Sequence, residues 1–212
     1  MELLNQISEH LQLGDEEKVG ELTQQAIKNK IAPKEILDNG LIAGMNIVGD
    51  KFRDHEIFLP DVLLAAKAMY AGLDPLKPLL LKAGVQSRGK VVIGSVYGDL
   101  HDIGKNLVGI MLKGAGFEVI DLGNDVPPEK FVDTAKKENA DAIGMSALLT
   151  TTMPVMKQVV DLLKKEKLDG KIKTIIGGAP VSKAYADEIG ATEYAFDAGY
   201  AVDCVKGLLV QA

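Results

Sequence analysis

The chain lacks most of what holds small or metal-centred proteins together. One cysteine, Cys204, in 212 residues excludes an intramolecular disulfide and a thiolate cage for zinc or an iron–sulfur cluster. The three histidines, His10, His55 and His101, are far apart in sequence, and none has a second histidine or a cysteine nearby to complete a metal cage. Tryptophan is absent and aromatics make up only 5%, a poor supply for an all-β sandwich. No apolar run approaches the roughly 20 residues that span a bilayer. The opening "MELLNQISEHLQLGDEEK" carries acid where a signal peptide carries base, so a soluble cytoplasmic protein with no membrane partner is expected. The net charge is −6 and the lysines and arginines are scattered, which leaves no footprint for nucleic acid.

Apolar residues, 47% of the chain, are enough for a sizeable core. Residues 1–82 read as four helices with short connections, a small bundle. "GDEEKVGELTQQAIKNK" opens acidic and closes basic, as the helix dipole favours. In "APKEILDNGLIAGMNIVGDKF", Pro33 suits a first turn, and Ile36, Leu37, Leu41, Met45 and Val48 recur at helical spacing. In "LPDVLLAAKAMYAGLDPLKPLLL" the stripe is Leu63, Leu64, Ala68 and Leu76, with Pro75 and Pro78 expected to bend or break the last turns. Residues 83–89 are polar and glycine-containing and read as a linker.

From residue 90 to 212 the period changes. "KVVIGSV", "FEVIDLG", "ADAIGMSA", "IKTIIGGA" and "TEYAF" are strand-like and each is followed by a helical segment. Five such units predict a doubly wound, flavodoxin-like parallel sheet, so the whole chain is α/β with a helical N-terminal cap. The last helix, "AVDCVKGLLV", places Cys204 as a small buried apolar side chain. Sheets of this kind bind ligands beyond the carboxyl ends of their strands. Asp99 and His101 follow the first strand, Ser146 to Thr152 the third, and Gly177-Gly178 the fourth, so all face one rim.

The turn "GSVYGDLHDIG" matches neither G-x-G-x-x-G nor G-x-x-x-x-G-K-[ST], so it has no nucleotide-binding signature. A receiver-like sheet would want an acceptor aspartate after strand three, where Ser146 and three threonines stand instead. By residue type alone, His101 reads as a turn residue bonded to backbone. Singly the glycines read as ordinary turns, and Ser146 and the threonines as a solvated loop or, for Thr151 or Thr152, an N-cap for "PVMKQVVDLL".

Order and spacing decide between these readings. "GDLHDIGKNLV" resembles the D-x-H-x-x-G cobalamin-binding motif, followed at the expected intervals by "SALLTTTM" and "IIGGAPVS". The segment "KFRDHEIFLP" is similar to the cap of cobalamin-dependent methyltransferases. Nearly the whole chain thus resembles the corrinoid proteins of methanol, methylamine and betaine methyltransferase systems, and the cobalamin-binding module of methionine synthase.

The resemblance implies a cofactor, cobalamin (methylcobalamin or a related corrinoid), held with its own base off and His101 as the lower ligand to cobalt. The corrin supplies four nitrogens, so a lone histidine suffices. Asp99 would orient the imidazole, and Thr152, where methionine synthase has serine, would extend the relay. Gly104, Gly177 and Gly178 would leave room for the nucleotide tail. Ser146, Leu148 and Thr150 would line it, Ile103 would border it, and Asp197-Ala198 would complete the pocket. Asp102 reads as a first-turn residue flanking the ligand. Phe52 and Leu59, seven apart, would shield the upper face, equally readable as bundle core, with His55 exposed between them.

The implied role is methyl carriage. The implied partners are a substrate-specific methyltransferase, a second methyltransferase acting on a thiol or tetrahydrofolate, and a reductive activase. A cobalamin-dependent mutase subunit or a cobalamin-using regulator shares the first motif. The former normally lacks this cap, and the latter usually adds a DNA-binding element not seen here.

Overall fold

The computed structural model describes residues 2–85 and 87–209. Gln86, in the expected linker, and Val210, in the expected last helix, lie outside the described residues. The chain divides into two compact units. One runs to Ser87 and includes Gly114–Gly116; the other holds Arg88–Lys113 and the chain from Phe117 onward.

The first unit is helical: α1 (Glu2–Gln12), α2 (Glu16–Lys28), a composite rod of α3 (Pro33–Ile36), a π-helical segment (Leu37–Ile42) and α4 (Ala43–Arg53), and the long α5 (Leu59–Lys82). Asp15 starts α2 by accepting the Lys18 N–H at 3.1 Å, and Asp61 returns to the Phe58 N–H at 2.8 Å at the head of α5. Of the stripe expected on the composite rod, Ile36, Leu41, Met45 and Val48 are buried, and Leu37 is half-buried.

The stripe expected on α5 holds only for Ala68 and Leu76. Leu63 and Leu64 are exposed, and the buried face is Val62, Ala65, Ala66, Ala68, Met69, Gly72, Leu76 and Leu80. Small residues let neighbouring helices approach there, so the larger leucines turn outward. Nor do Pro75 and Pro78 break α5, which continues to Lys82. Leu76 and Leu80, buried around and beyond the prolines, anchor turns that have lost two N–H donors.

The second unit is a five-stranded sheet, wholly parallel, in the order β2-β1-β3-β4-β5. Its elements are β1 (Lys90–Ser95), α6 (Ile103–Gly114), β2 (Glu118–Asp121), α7 (Pro128–Lys137), β3 (Ala142–Ser146), α8 (Pro154–Lys165), β4 (Lys173–Gly177), α9 (Lys183–Ile189), β5 (Glu193–Ala195) and α10 (Ala198–Leu209). α10 starts three residues before the expected segment, because Asp197 accepts the Tyr200 N–H at 2.7 Å and caps it.

One sheet face is covered by α7, α8 and α9 in a single core containing Phe131, Ile143, Met156, Leu163, Ile176 and Ile189. Ile93 points to the other face, where α6 comes so close that a β-carbon at Gly109 would sit 2.7 Å from its Cδ1. The strand order reverses between β1 and β3. The loops leaving those two strands therefore flank the crevice where such sheets hold ligands. None of the described helices is long and apolar enough to cross a membrane.

Candidate functional site

The loop between β1 and α6 carries the Asp-x-His pair, and the structure closes it into a compact unit. The Asp99 carboxylate is fully buried, while the His101 side chain is 52% exposed. Asp99 Oδ1 accepts from His101 Nδ1 at 2.8 Å and from the His101 main-chain N–H at 3.1 Å. Oδ2 accepts from the Leu148 N–H at 2.7 Å, the Leu149 N–H at 3.2 Å and the Thr152 hydroxyl at 2.9 Å. The loop after β3 therefore grips the same carboxylate as the loop after β1.

Burial alone would raise the Asp99 pKa. The Leu148 N–H, the His101 ring and amide, and the Thr152 hydroxyl outweigh it and hold the carboxyl well below the ordinary carboxylate range. An ionised carboxylate only accepts, so Nδ1 carries a proton and the neutral ring has its lone pair on Nε2. No protein hydrogen bond to Nε2 occurs among the described residues. The site presents one oriented nitrogen donor to solvent. Among the described residues no group of three or more His, Cys, Asp or Glu side chains is placed to hold a metal.

The rim at the carboxyl ends of the strands carries several exposed apolar side chains. Leu100 (69%), Ile103 (72%), Leu148 and Leu149 are exposed, as are Tyr97 and Phe196 (61%), the last stacked on Tyr200 with centroids 4.7 Å apart. These side chains stand on loops or helix starts at the carboxyl ends of the strands. Thr150 is exposed, and Ser146 closes β3 half-buried.

The three glycines differ. A β-carbon at Gly104 would meet nothing within 4 Å. At Gly177 it would lie 2.8 Å from the Ala195 carbonyl oxygen. At Gly178, where φ is +123°, it would lie 1.9 Å from that of Ala147. The fold itself therefore demands glycine at 177 and 178, whereas the space beside Gly104 is open.

Other expectations are adjusted by the geometry. Neither Thr151 nor Thr152 caps α8: Met153 occupies that position without a side-chain bond, and the Thr152 hydroxyl lies 2.9 Å from both Asp99 Oδ2 and the Leu149 carbonyl. Asp102 stands just before α6 rather than in its first turn, and its carbonyl accepts the Asn106 N–H at 2.7 Å. Ala198 is buried. Cys204 is half-buried, its Sγ 3.9 Å from the Tyr194 carbonyl, and burial first of all pushes its thiol up to about 11. It is an inert side chain. In the helical unit Phe52 and Leu59 are half-buried, Phe58 beside them is 68% exposed, and His55 is exposed as expected.

Residues not singled out in the sequence also build the site. Buried Ser95 donates to the His101 carbonyl at 2.5 Å. Lys105, buried in α6, places its ammonium 2.6–2.7 Å from both oxygens of Asp121 and 2.6 Å from Asn106 Oδ1, fastening α6 to the end of β2. Its spacing gave a signal, since Lys105 shares the inward face of α6 with Gly109 and Leu112. Asn124 and Asp125, in the loop after β2, gave none.

A family model for a B12 binding domain matches residues 89–209, and a second, also described as a B12 binding domain, matches residues 3–77. A dimethylamine corrinoid protein of Methanosarcina barkeri is 46% identical over 98% of both chains. A corrinoid protein of Desulfitobacterium hafniense is 43% identical over 99% of this chain and 98% of its own.

Among solved structures, a cobalamin-binding protein from Desulfitobacterium hafniense superposes with a TM-score of 0.81 at 34% identity, covering 97% of this chain and 98% of that one. A chain of the methanol:cobalamin methyltransferase complex from Methanosarcina barkeri gives 0.87 at 32% identity, covering 100% of this chain and 81% of that one. The residues fit such a cofactor: a single imidazole donor, open space beside Gly104 and an apolar rim would hold a large, mostly apolar group that needs one nitrogen from the protein. With both of its halves matched as B12-binding domains, the chain belongs to the corrinoid proteins of methylamine and methanol methyltransferase systems.

Proposed function

We propose that this corrinoid protein is a methyl carrier that holds cobalamin with the vitamin's own base displaced and His101 in its place. It passes a methyl group from a substrate-specific methyltransferase to a second methyltransferase serving a thiol or tetrahydrofolate-type acceptor. The observation that supports this most is the Asp99–His101 pair, a buried ionised acceptor fixing an exposed imidazole with its Nε2 lone pair outward.

A bound corrinoid supplies the chemistry, because reduced cobalt is nucleophilic towards an activated methyl group. The residues bind, orient and shield. Asp99 keeps the Nδ1 proton in place while His101 ligates, and Thr152 supports Asp99 from behind. Gly104, Ile103, Ser146, Leu148 and Thr150 flank the displaced tail. Gly177 and Gly178 bring the ends of β3, β4 and β5 together so that Asp197 and Ala198 border it. Phe52 and Leu59 would shield the bound group, a role supported by the cap-segment resemblance, and residues 83–89 would serve as a hinge that admits partners.

The relatives named for dimethylamine and the complex named for methanol favour a methylamine or methanol as donor. A reductive activase would be a further partner. The test is reconstitution: labelled methyl from one of these donors should reach a thiol only when this chain is present with donor and acceptor methyltransferases. No transfer from methanol, methylamines, betaines or methoxylated aromatics with the methyltransferase that co-purifies would overturn it.

A further inference from the structure

The loop after β2 does more than turn the chain. Asp125 adopts φ +54°, a left-handed conformation uncommon outside glycine but tolerated by Asp. From there it reaches the ligand loop twice. Its carboxylate accepts the Gly98 N–H at 2.7 Å, and its own N–H donates to the Asp99 carbonyl at 3.0 Å. The two bonds bracket the Gly98-Asp99 dipeptide, whose Gly98 also has positive φ, +82°.

Asn124 continues the contact one residue on, its Nδ2 donating to the Leu100 carbonyl at 3.1 Å. Behind them the loop is tied to β1: Ser95 N–H to the Gly123 carbonyl and Val126 N–H to the Ser95 carbonyl, both at 3.0 Å. The main chain of residues 98–100 is thus held from outside its own loop. Asp99 Oδ2 is held separately, by Leu148, Leu149 and Thr152.

We infer that Asp125, assisted by Asn124, is a positioning residue for the cobalt ligand: it fixes the backbone under Asp99 and His101 so that Nε2 is aimed before any cofactor arrives. This rests on the reading that His101 is the lower ligand. Without the Asp125 acceptor, Asp99 stays clamped on its Oδ2 side. What loosens is the Gly98 end of the segment leading to His101, whose carbonyl Ser95 still holds and whose half-exposed ring is bonded to Asp99 Oδ1. The cost should therefore appear in the aim of the imidazole.

The experiment compares Asp125→Ala and Asp125→Gly with Asp125→Asn, whose amide oxygen still accepts from Gly98. Asp125→Gly keeps the left-handed backbone available, so it remains informative where the alanine variant fails to fold. In the cofactor-free protein labelled with nitrogen-15 histidine, the His101 Nδ1 proton should give a slowly exchanging resonance in the parent and in Asp125→Asn. It should be lost to exchange in Asp125→Gly. Cobalamin titration should show about tenfold weaker binding for Asp125→Gly and near-parent binding for Asp125→Asn, at the lower end of what removing a supporting bond behind a metal ligand costs. An unchanged Nδ1 resonance together with parent affinity in Asp125→Gly overturns the inference. His101→Gln separates it from the reading beneath it. If that variant binds cobalamin as the parent does, the ligand assignment fails, while the resonance in the cofactor-free protein still decides whether Asp125 positions the ring.

Discussion

One oxygen of Asp99 holds His101 at both ends: Oδ1 takes the ring Nδ1–H at 2.8 Å and the main-chain N–H of the same residue at 3.1 Å. Ring and backbone are fixed by a single atom that is itself out of contact with water. The imidazole is therefore oriented by the protein.

Acid should expose this arrangement. The folded-state pKa of Asp99 lies below its unfolded value, so its contribution to stability is fully present above the ordinary carboxylate pKa of about 3.9 and is lost as pH falls from there towards the depressed folded value. Asp99→Asn removes that contribution and turns an amide NH2 towards N–H donors. It should cost about 1–3 kcal/mol at neutral pH. Urea unfolding at pH 7 and pH 3 should show the gap between parent and variant narrowing in acid; a gap that widens would contradict the assignment.

Thr152 offers a cleaner probe of the relay. Thr152→Val keeps the shape and deletes the hydroxyl that donates to buried Asp99, a bond to a charged group worth about 1.5–3 kcal/mol. Thr152→Ser keeps the donor. Denaturant midpoints should fall for valine and stay close to the parent for serine, whereas equal losses in both would assign Thr152 to packing alone.

The glycines separate fold from cofactor. Gly178→Ala would drive a β-carbon into the Ala147 carbonyl at a positive φ, so thermal unfolding should shift down sharply whether or not cobalamin is bound. Gly104→Ala meets no protein atom and lies in the first turn of α6, where alanine favours helix. Its melting temperature should hold or rise while cobalamin uptake falls. Parent-like uptake in Gly104→Ala would move the displaced tail away from that residue.

The core behind the site should respond as a core. Phe131, fully buried, touches the position a β-carbon on Gly94 would take, 2.8 Å from its ring. Phe131→Ala should cost about 3–5 kcal/mol by equilibrium unfolding. A loss below 1 kcal/mol would contradict the packing described.

These residues also show what a sequence reveals. "KVVIGSV" and "IKTIIGGA" announce β1 and β4 because buried parallel strands are continuous β-branched runs. Asp99 and His101 are legible because the partners are two residues apart, so their relation is a motif. Asp125 and Ser95 act on the same loop through backbone groups 27 and 6 residues distant, and a polar turn residue bonded to a main chain leaves no pattern. On α5 half of the buried stripe is alanine and glycine, small residues that carry little hydrophobic signal, while the larger Leu63 and Leu64 face outward. The spacing of Lys105 places it on the inward face of α6, but its partner Asp121 stands on a different element, so the ion pair itself leaves no pattern.

The most direct test is electron paramagnetic resonance of the cobalamin-loaded protein in its divalent state, with natural and nitrogen-15-labelled histidine. If His101 ligates, the axial nitrogen splitting changes from a triplet to a doublet pattern on labelling and vanishes in His101→Gln. A splitting indifferent to histidine labelling would mean that the vitamin's own base, or nothing, sits beneath the cobalt.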